Sequence, residues 1–242
     1  MVSKKLLAKG TLAMGIAAVS VSAIASHTWN NYHWARTTSS FTLQLVDSNS
    51  TDWVVSGDSS STARKRCTAI TGKVRSCNAS YGNNGWLGLA SINLDSGGHI
   101  VKGTSKMNDS YASSFASQDE RRHVMCQELG HTFGLGHTSE DGSSQSTCMD
   151  YSQSPNSTAP NSHDYEQLVT QYGHTDSYNS YSTTIAATKL TAKQDSMAGE
   201  ISMGSRIRKG VFDEMWAVPD GKGGVWVHHI TLAPGFEHTE LL

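Results

Sequence analysis

The chain has 242 residues, 37% of them hydrophobic and 17% charged, with a formal net charge of -2. That length supports one core of ordinary size and a small addition to it. The near-neutral balance excludes the basic footprint of a nucleic-acid binder and offers no attraction to an anionic membrane surface.

In chain order, the first segment reads as an export signal. Lys4, Lys5 and Lys9 make a basic start, residues 12–25 are apolar and small, and Ala23-Ile24-Ala25 has the A-x-A form of a cleavage site. Residues 1–25 are therefore expected to be removed, leaving a secreted or extracytoplasmic chain. No later stretch is apolar for long enough to stay inserted in a bilayer. Export puts Cys67, Cys77, Cys126 and Cys148 in an oxidising space, where they read as two disulfides. Three pairings are open to four cysteines. Cys67–Cys77 would staple a local hairpin-like loop and Cys126–Cys148 would tie the strongest helix to the segment around Met149, while the absence of any C-x-x-C spacing argues against a cysteine metal site.

Residues 27–36 are aromatic and lead towards a first strand. Residues 41–46 alternate apolar and polar side chains, as a half-buried strand does. Residues 47–65 are polar and read as loop. Short strands are expected over 73–77, 86–93 and 99–107, separated by turns at 82–85 and 95–98, where Gly and Asn supply positive φ. The strongest helix covers 117–135. Ser117 and Glu120 have capping-box spacing, and Val124, Met125, Leu129 and Phe133 form an apolar stripe. A second helix is expected over 163–172, with Asp164 and Glu166 near its start, where the helix dipole favours them. Residues 174–204 read as a linker. Residues 205–242 read as a small β-rich C-terminal appendage without a motif, and His228, His229 and His238 as surface or strand residues.

The chemistry concentrates in Cys126-Gln127-Glu128-Leu129-Gly130-His131-Thr132-Phe133-Gly134-Leu135-Gly136-His137. Gln127 and His131 are four apart and share a helix face, with Glu128 beside them. Gly134 can take the positive φ that stops a helix, and His137 arrives from beyond the stop. A zinc hydrolase needs three protein ligands, an open position, and a carboxylate to take a proton from water. All the parts are present except that Gln127 stands where a histidine would serve better.

The E-x-x-H-x-x-G-x-x-H spacing of Glu128, His131, Gly134 and His137, followed by Met149 and Tyr151, resembles the metzincin metallopeptidases. The string from Thr132 to His137 is similar to the matrixin branch. The resemblance covers about residues 32–173, and the domain is expected to span 26–173. It implies an α+β fold of the zincin type. A small twisted mixed sheet would lie over an active-site helix, above a lower part with a Met-turn and a C-terminal helix. It implies an exported, monomeric, Zn2+-dependent endopeptidase acting on peptides or proteins. In it His131 and His137 would be ligands, with Gln127 in the remaining ligand position, and Glu128 would be the general base. Met149 would form an apolar floor, and Tyr151 would lie near the ion or the oxyanion. Residues 87–92 would be an edge strand that takes a peptide by β-addition. Pro160 to His163 would line the pocket for a substrate side chain.

The chain departs from the family pattern in three ways. Gln127 replaces the first histidine, residues 47–65 are too short and irregular for a long backing helix, and no pro-segment with a blocking cysteine is expected. These departures leave open an inactive peptide- or protein-binding domain with a weakened zinc site. They also leave open an ion such as Ca2+ or Mn2+ that accepts an amide oxygen. His123, one turn before Gln127, is a weaker substitute ligand because it lies about 6 Å along the helix axis.

Overall fold

A computed structural model describes residues 27–49, 66–115, 117–152, 154–183 and 202–239. The expected signal peptide, most of the 47–65 loop and most of the linker lie outside the described residues. The fold is α+β, dominated by one mixed sheet.

Eight strands build that sheet: β1 (His33–Trp34), β2 (Gln44–Ser48), β3 (Lys73–Ala79), β4 (Trp86–Leu94), β5 (His99–Asn108), β6 (Ser205–Lys209), β7 (Asp213–Pro219) and β8 (Val225–Leu232). Seven of them run in the order β2-β3-β5-β4-β8-β7-β6, and β1 pairs with β5. The β1–β5, β2–β3 and β3–β5 ladders are parallel, and the rest are antiparallel. The β4–β5 hairpin forms because the Asp95 carboxylate accepts from the Gly97 and His99 amides at 2.9 and 3.0 Å while Gly98 takes φ 84°.

β4 is not an edge strand. Its register with β8 runs from Trp86–Leu232 to Leu94–Val225, so the edge expected to receive a peptide is already covered by the chain's own C-terminal strand. The apolar alternation of β4 was equally consistent with an interior strand, because such a strand needs an apolar face on either edge arrangement. The C-terminal strands thus belong to the same sheet as the rest.

Two helices lie beside the sheet. Helix α1 (Gln118–His131) starts at Ser117, whose hydroxyl accepts from the Glu120 amide at 3.2 Å while Glu120 reaches back to the Ser117 amide at 2.9 Å. Such a cap is worth about 1 kcal/mol. Helix α2 (Ser162–Gln171) is capped in the same way by Asn161 and Asp164. Helix α1 packs on β4, β5 and β8. Trp34, Ile92, Ile100, Val74 and Val227 form the larger core cluster, and the Trp34 indole donates to the Thr132 carbonyl at 2.9 Å, tying the sheet to the end of α1.

Two disulfides, Cys67–Cys77 and Cys126–Cys148, are formed as expected, and no described cysteine is free. Closing loops of these sizes stabilises by about 2–4 kcal/mol each, and such bridges suit an exported protein. Among the described residues no helix is long and apolar enough to cross a membrane.

Helix α1 ends at His131, four residues before the expected end at 135, and Gly134 takes φ 87° just beyond it. A Cβ at Gly134 would overlap the Tyr32 carbonyl oxygen and the Gln171 amide. Gly134→Ala is therefore expected to destabilise the fold by at least about 3 kcal/mol through left-handed strain and overlap together. Urea unfolding checks this; an unchanged midpoint would refute the steric account.

Asp164 gives a pH dependence. Burial pushes its carboxyl up, but the His27 imidazole at 3.0 Å, the Thr147 hydroxyl and the Asn161 amide at 2.8 Å outweigh that and hold it below its ordinary 3.8. A depressed carboxylate stabilises the fold above its unfolded pKa, and that stabilisation disappears as pH falls through the folded value. Stability should decline below pH 3.8, and Asp164→Asn should flatten that decline while costing about 2–3 kcal/mol at neutral pH. Urea midpoints measured across pH 2–7 on both proteins decide it.

Candidate metal centre

Helix α1 delivers three side chains to one place, and all three are buried: Gln127, Glu128 and His131. The turn at Gly134 brings His137 back to His131, with ring centroids 4.7 Å apart. The third histidine comes from β8. His229 lies opposite Ala90 of β4 and Met215 of β7, and its ring is 4.0 Å from His131 and 4.8 Å from His137. One nitrogen from each of the three rings lies within 4.8 Å of the others.

The tautomers follow from the outer partners. His131 Nδ1 faces the Leu135 carbonyl at 2.8 Å, and a carbonyl only accepts, so Nδ1 carries the hydrogen. His229 Nε2 donates to the Asp213 carboxylate at 3.1 Å. His137 Nδ1 meets the Tyr151 hydroxyl at 2.7 Å; with the ring hydrogen placed there, Nε2 turns an unpartnered lone pair towards the other two rings. The inner atoms His131 Nε2, His137 Nε2 and His229 Nδ1 are consequently bare lone pairs. All three are buried and have no hydrogen-bond partner, as is Glu128 Oε2. Three converging lone pairs beside an unpaired carboxylate oxygen are what a divalent cation satisfies. Each ring is held from behind, as metal-ligating imidazoles are. The donor set therefore fits a metal ion.

Gln127 is occupied elsewhere. Its Nε2 donates to the Asp150 carbonyl at 2.7 Å, which fixes the amide orientation, and its Oε1 lies 2.9 Å from the Thr231 hydroxyl. The expected amide ligand is thus a tie between α1, the Met149 turn and β8. The third ring beside His131 and His137 comes instead from His229 on the neighbouring strand.

Glu128 is fully buried. The Thr231 hydroxyl holds Oε1 at 2.6 Å, leaving Oε2 to face His229 Nδ1 at 4.0 Å. Burial pushes its carboxyl up to about 7, against the opposing pull of His229, Thr231 and the Ala90 amide. Gly88 of β4 makes room for it, since a Cβ there would overlap Oε1. Burial also drives the His131 and His137 rings far below the ordinary imidazole range, so both are neutral and available as donors.

Met149 is buried against Gly130, where a Cβ would overlap its sulfur, and against Leu135. It packs against the helix turn next to His131. Tyr151 does not stand free to meet an oxyanion; its hydroxyl orients His137 and its ring lies 4.1 Å from that imidazole. His123 is turned away, with Nδ1 2.5 Å from the Ser157 carbonyl. Asn161 caps α2 and His163 stacks on His27 at 4.5 Å, so the expected pocket-lining segment serves the α2 start.

Sequence reasoning missed His229, Asp213, Thr231 and Arg208. Burial pushes Asp213 up, but His229 and Arg208 outweigh it and keep it an anion, and Arg208 links Asp213 to Glu140. The available signal was the alternation in β8, which puts Val227, His229 and Thr231 on one face. A cavity of about 290 Å³ opens onto the three histidines between Thr28–Asn30 on one side and Glu140 and Arg208 on the other. A second, more apolar cavity of about 340 Å³ is lined by Leu87, Phe115, Val124, Tyr151, Phe212 and Thr231.

No protein-family model, curated protein or solved structure matches this chain.

Proposed function

We propose that the chain is an exported zinc-dependent endopeptidase whose ion is held by His131, His137 and His229, with Glu128 as general base. The observation that carries this is the convergence of three unpartnered imidazole nitrogens beside an unpartnered Glu128 oxygen. Neutral imidazoles favour zinc over the harder cations that prefer oxygen. The ion, when bound, supplies a Lewis acid that polarises a peptide carbonyl and lowers the pKa of water.

The chain's own residues supply the rest. Thr231 fixes one Glu128 oxygen, so the other is the atom that takes the proton from water and returns it to the leaving amine. Asp213 and Tyr151 keep His229 and His137 in the tautomers that present lone pairs. An apolar substrate side chain fits the larger cavity beside Thr231 and Tyr151.

One observation favours a second reading. β8 covers the β4 edge, where an extended peptide would add, which suits a metal-holding domain that binds partners without cleaving them. Metal analysis of the purified chain, paired with chelator-sensitive cleavage of a denatured protein, separates the readings. Bound zinc with cleavage supports the peptidase; bound zinc without cleavage supports the second reading; no zinc at this centre defeats both.

A further inference from the structure

An open groove of about 510 Å³ lies where the chain before β2 meets helix α2. Phe41, Phe133, Leu168, Val169 and Tyr172 give it apolar walls. Helix α2 is turned the unusual way round here. It buries Asp164, Gln167 and Gln171, while Tyr165 and Val169, one turn apart on its outer face, are 57% and 74% exposed. The wall is firm. The Tyr172 ring lies 5.2 Å from that of Phe41, and its hydroxyl donates to the Phe133 carbonyl at 3.1 Å and accepts from the Trp34 amide at 3.2 Å.

Arg36 is the one charged residue among the described residues that line this groove, and it is only 4% exposed. A buried cation is ordinarily paired with a carboxylate. Among the described residues the Arg36 guanidinium donates only to the Thr38 carbonyl, through Nη1, and its face meets the Tyr172 ring 5.8 Å away. Nε is buried and has no acceptor. The one carboxylate close to Arg36 along the backbone is used differently: Asp176 accepts from the Arg36 amide at 2.9 Å, and its own amide donates to the Arg36 carbonyl at 2.7 Å. Both contacts fix the backbone of Arg36 and leave its charge uncompensated.

We propose that this groove binds a free organic acid with an apolar tail, its carboxylate on the Arg36 guanidinium and its tail among Phe41, Leu168 and Val169. A guanidinium matches a carboxylate in shape as well as in charge. With no lysine or second arginine among the described lining residues, the groove balances one negative charge, which favours a carboxylate over a phosphate. Its volume is that of a small-molecule site, with apolar walls and a single polar group to set orientation. The groove shares no residue with the metal centre, so this inference is independent of the peptidase reading.

The test is isothermal titration of the full chain with octanoate, and with octanol and octylamine as neutral and cationic probes of the same length. Octanoate should saturate a single site and raise the Tm. Octanol and octylamine should bind at least about tenfold more weakly, since neither makes a charge-assisted bond to a guanidinium. Arg36→Met keeps the apolar stem and removes the charge, so octanoate should fall to the level of octanol. Val169→Glu places a like charge on the exposed wall and should weaken octanoate about tenfold while the Tm of the free chain stays put. That second variant decides the matter if Arg36→Met does not fold. Absence of saturable octanoate binding, octanol binding as tightly as octanoate, or octanoate affinity unchanged in either folded variant would overturn the proposal. Equal binding of acid and alcohol would mark the groove as a plain apolar face for another chain.

Discussion

His229→Ala should lower zinc affinity at the proposed metal centre by about 3–5 kcal/mol, a hundred- to several-thousandfold, whereas Gln127→His should not raise it. The first figure is about one third of the ~10–16 kcal/mol that holds a structural zinc ion. The second follows from where the Gln127 amide is spent: on the Asp150 carbonyl and the Thr231 hydroxyl. An imidazole at 127 would break both ties and meet a ligand position that His229 already fills. Competition against a chromophoric chelator measures both variants. Wild-type affinity in His229→Ala, or a clear gain in Gln127→His, would return the third ligand to the helix. Activity should follow affinity in His229→Ala, since the variant removes one of the three rings that face the ion and leaves Glu128 and its Thr231 partner in place.

These two variants also mark where local pattern stops informing. The helix start at Ser117, the stop at Gly134 and the β4–β5 hairpin were legible because each rests on neighbours within a few residues: a capping box, a positive φ, an Asp-Gly turn. The two disulfides were legible because exported cysteines pair and only three pairings existed. The Glu128-to-His137 half of the site was legible for the same reason, since one helix and one turn carry it. His229 was not, because its meaning lies in the register of β8 against β4, set by residues more than a hundred positions away. A histidine pair in an alternating strand reads alike whether it meets solvent, a core or a metal. His228 shows the difference: one step along, it points to the opposite face and bonds Ser91 at 2.8 Å. The β4 edge failed similarly, because alternation reports which face is buried and says nothing about what covers the edge.

Glu128→Gln should leave zinc binding nearly unchanged and reduce cleavage by about 10²–10⁴-fold. The amide is the same size and can still accept from Thr231 at the oxygen, so packing in this fully buried spot is kept. What it loses is the ability to take a proton at the second position, the atom that now faces the histidines without a partner. Gly88→Ala tests the same atom from the other side. Its Cβ would overlap Glu128 Oε1 and push the carboxylate off Thr231, so cleavage should fall while the ion stays. Zinc content measured alongside initial rates separates this outcome from that of His229→Ala, where ion and activity go together. If Glu128→Gln cleaves as well as the wild type, the carboxylate is a packing residue beside a metal, and the domain belongs to the non-cleaving reading that the covered β4 edge favours.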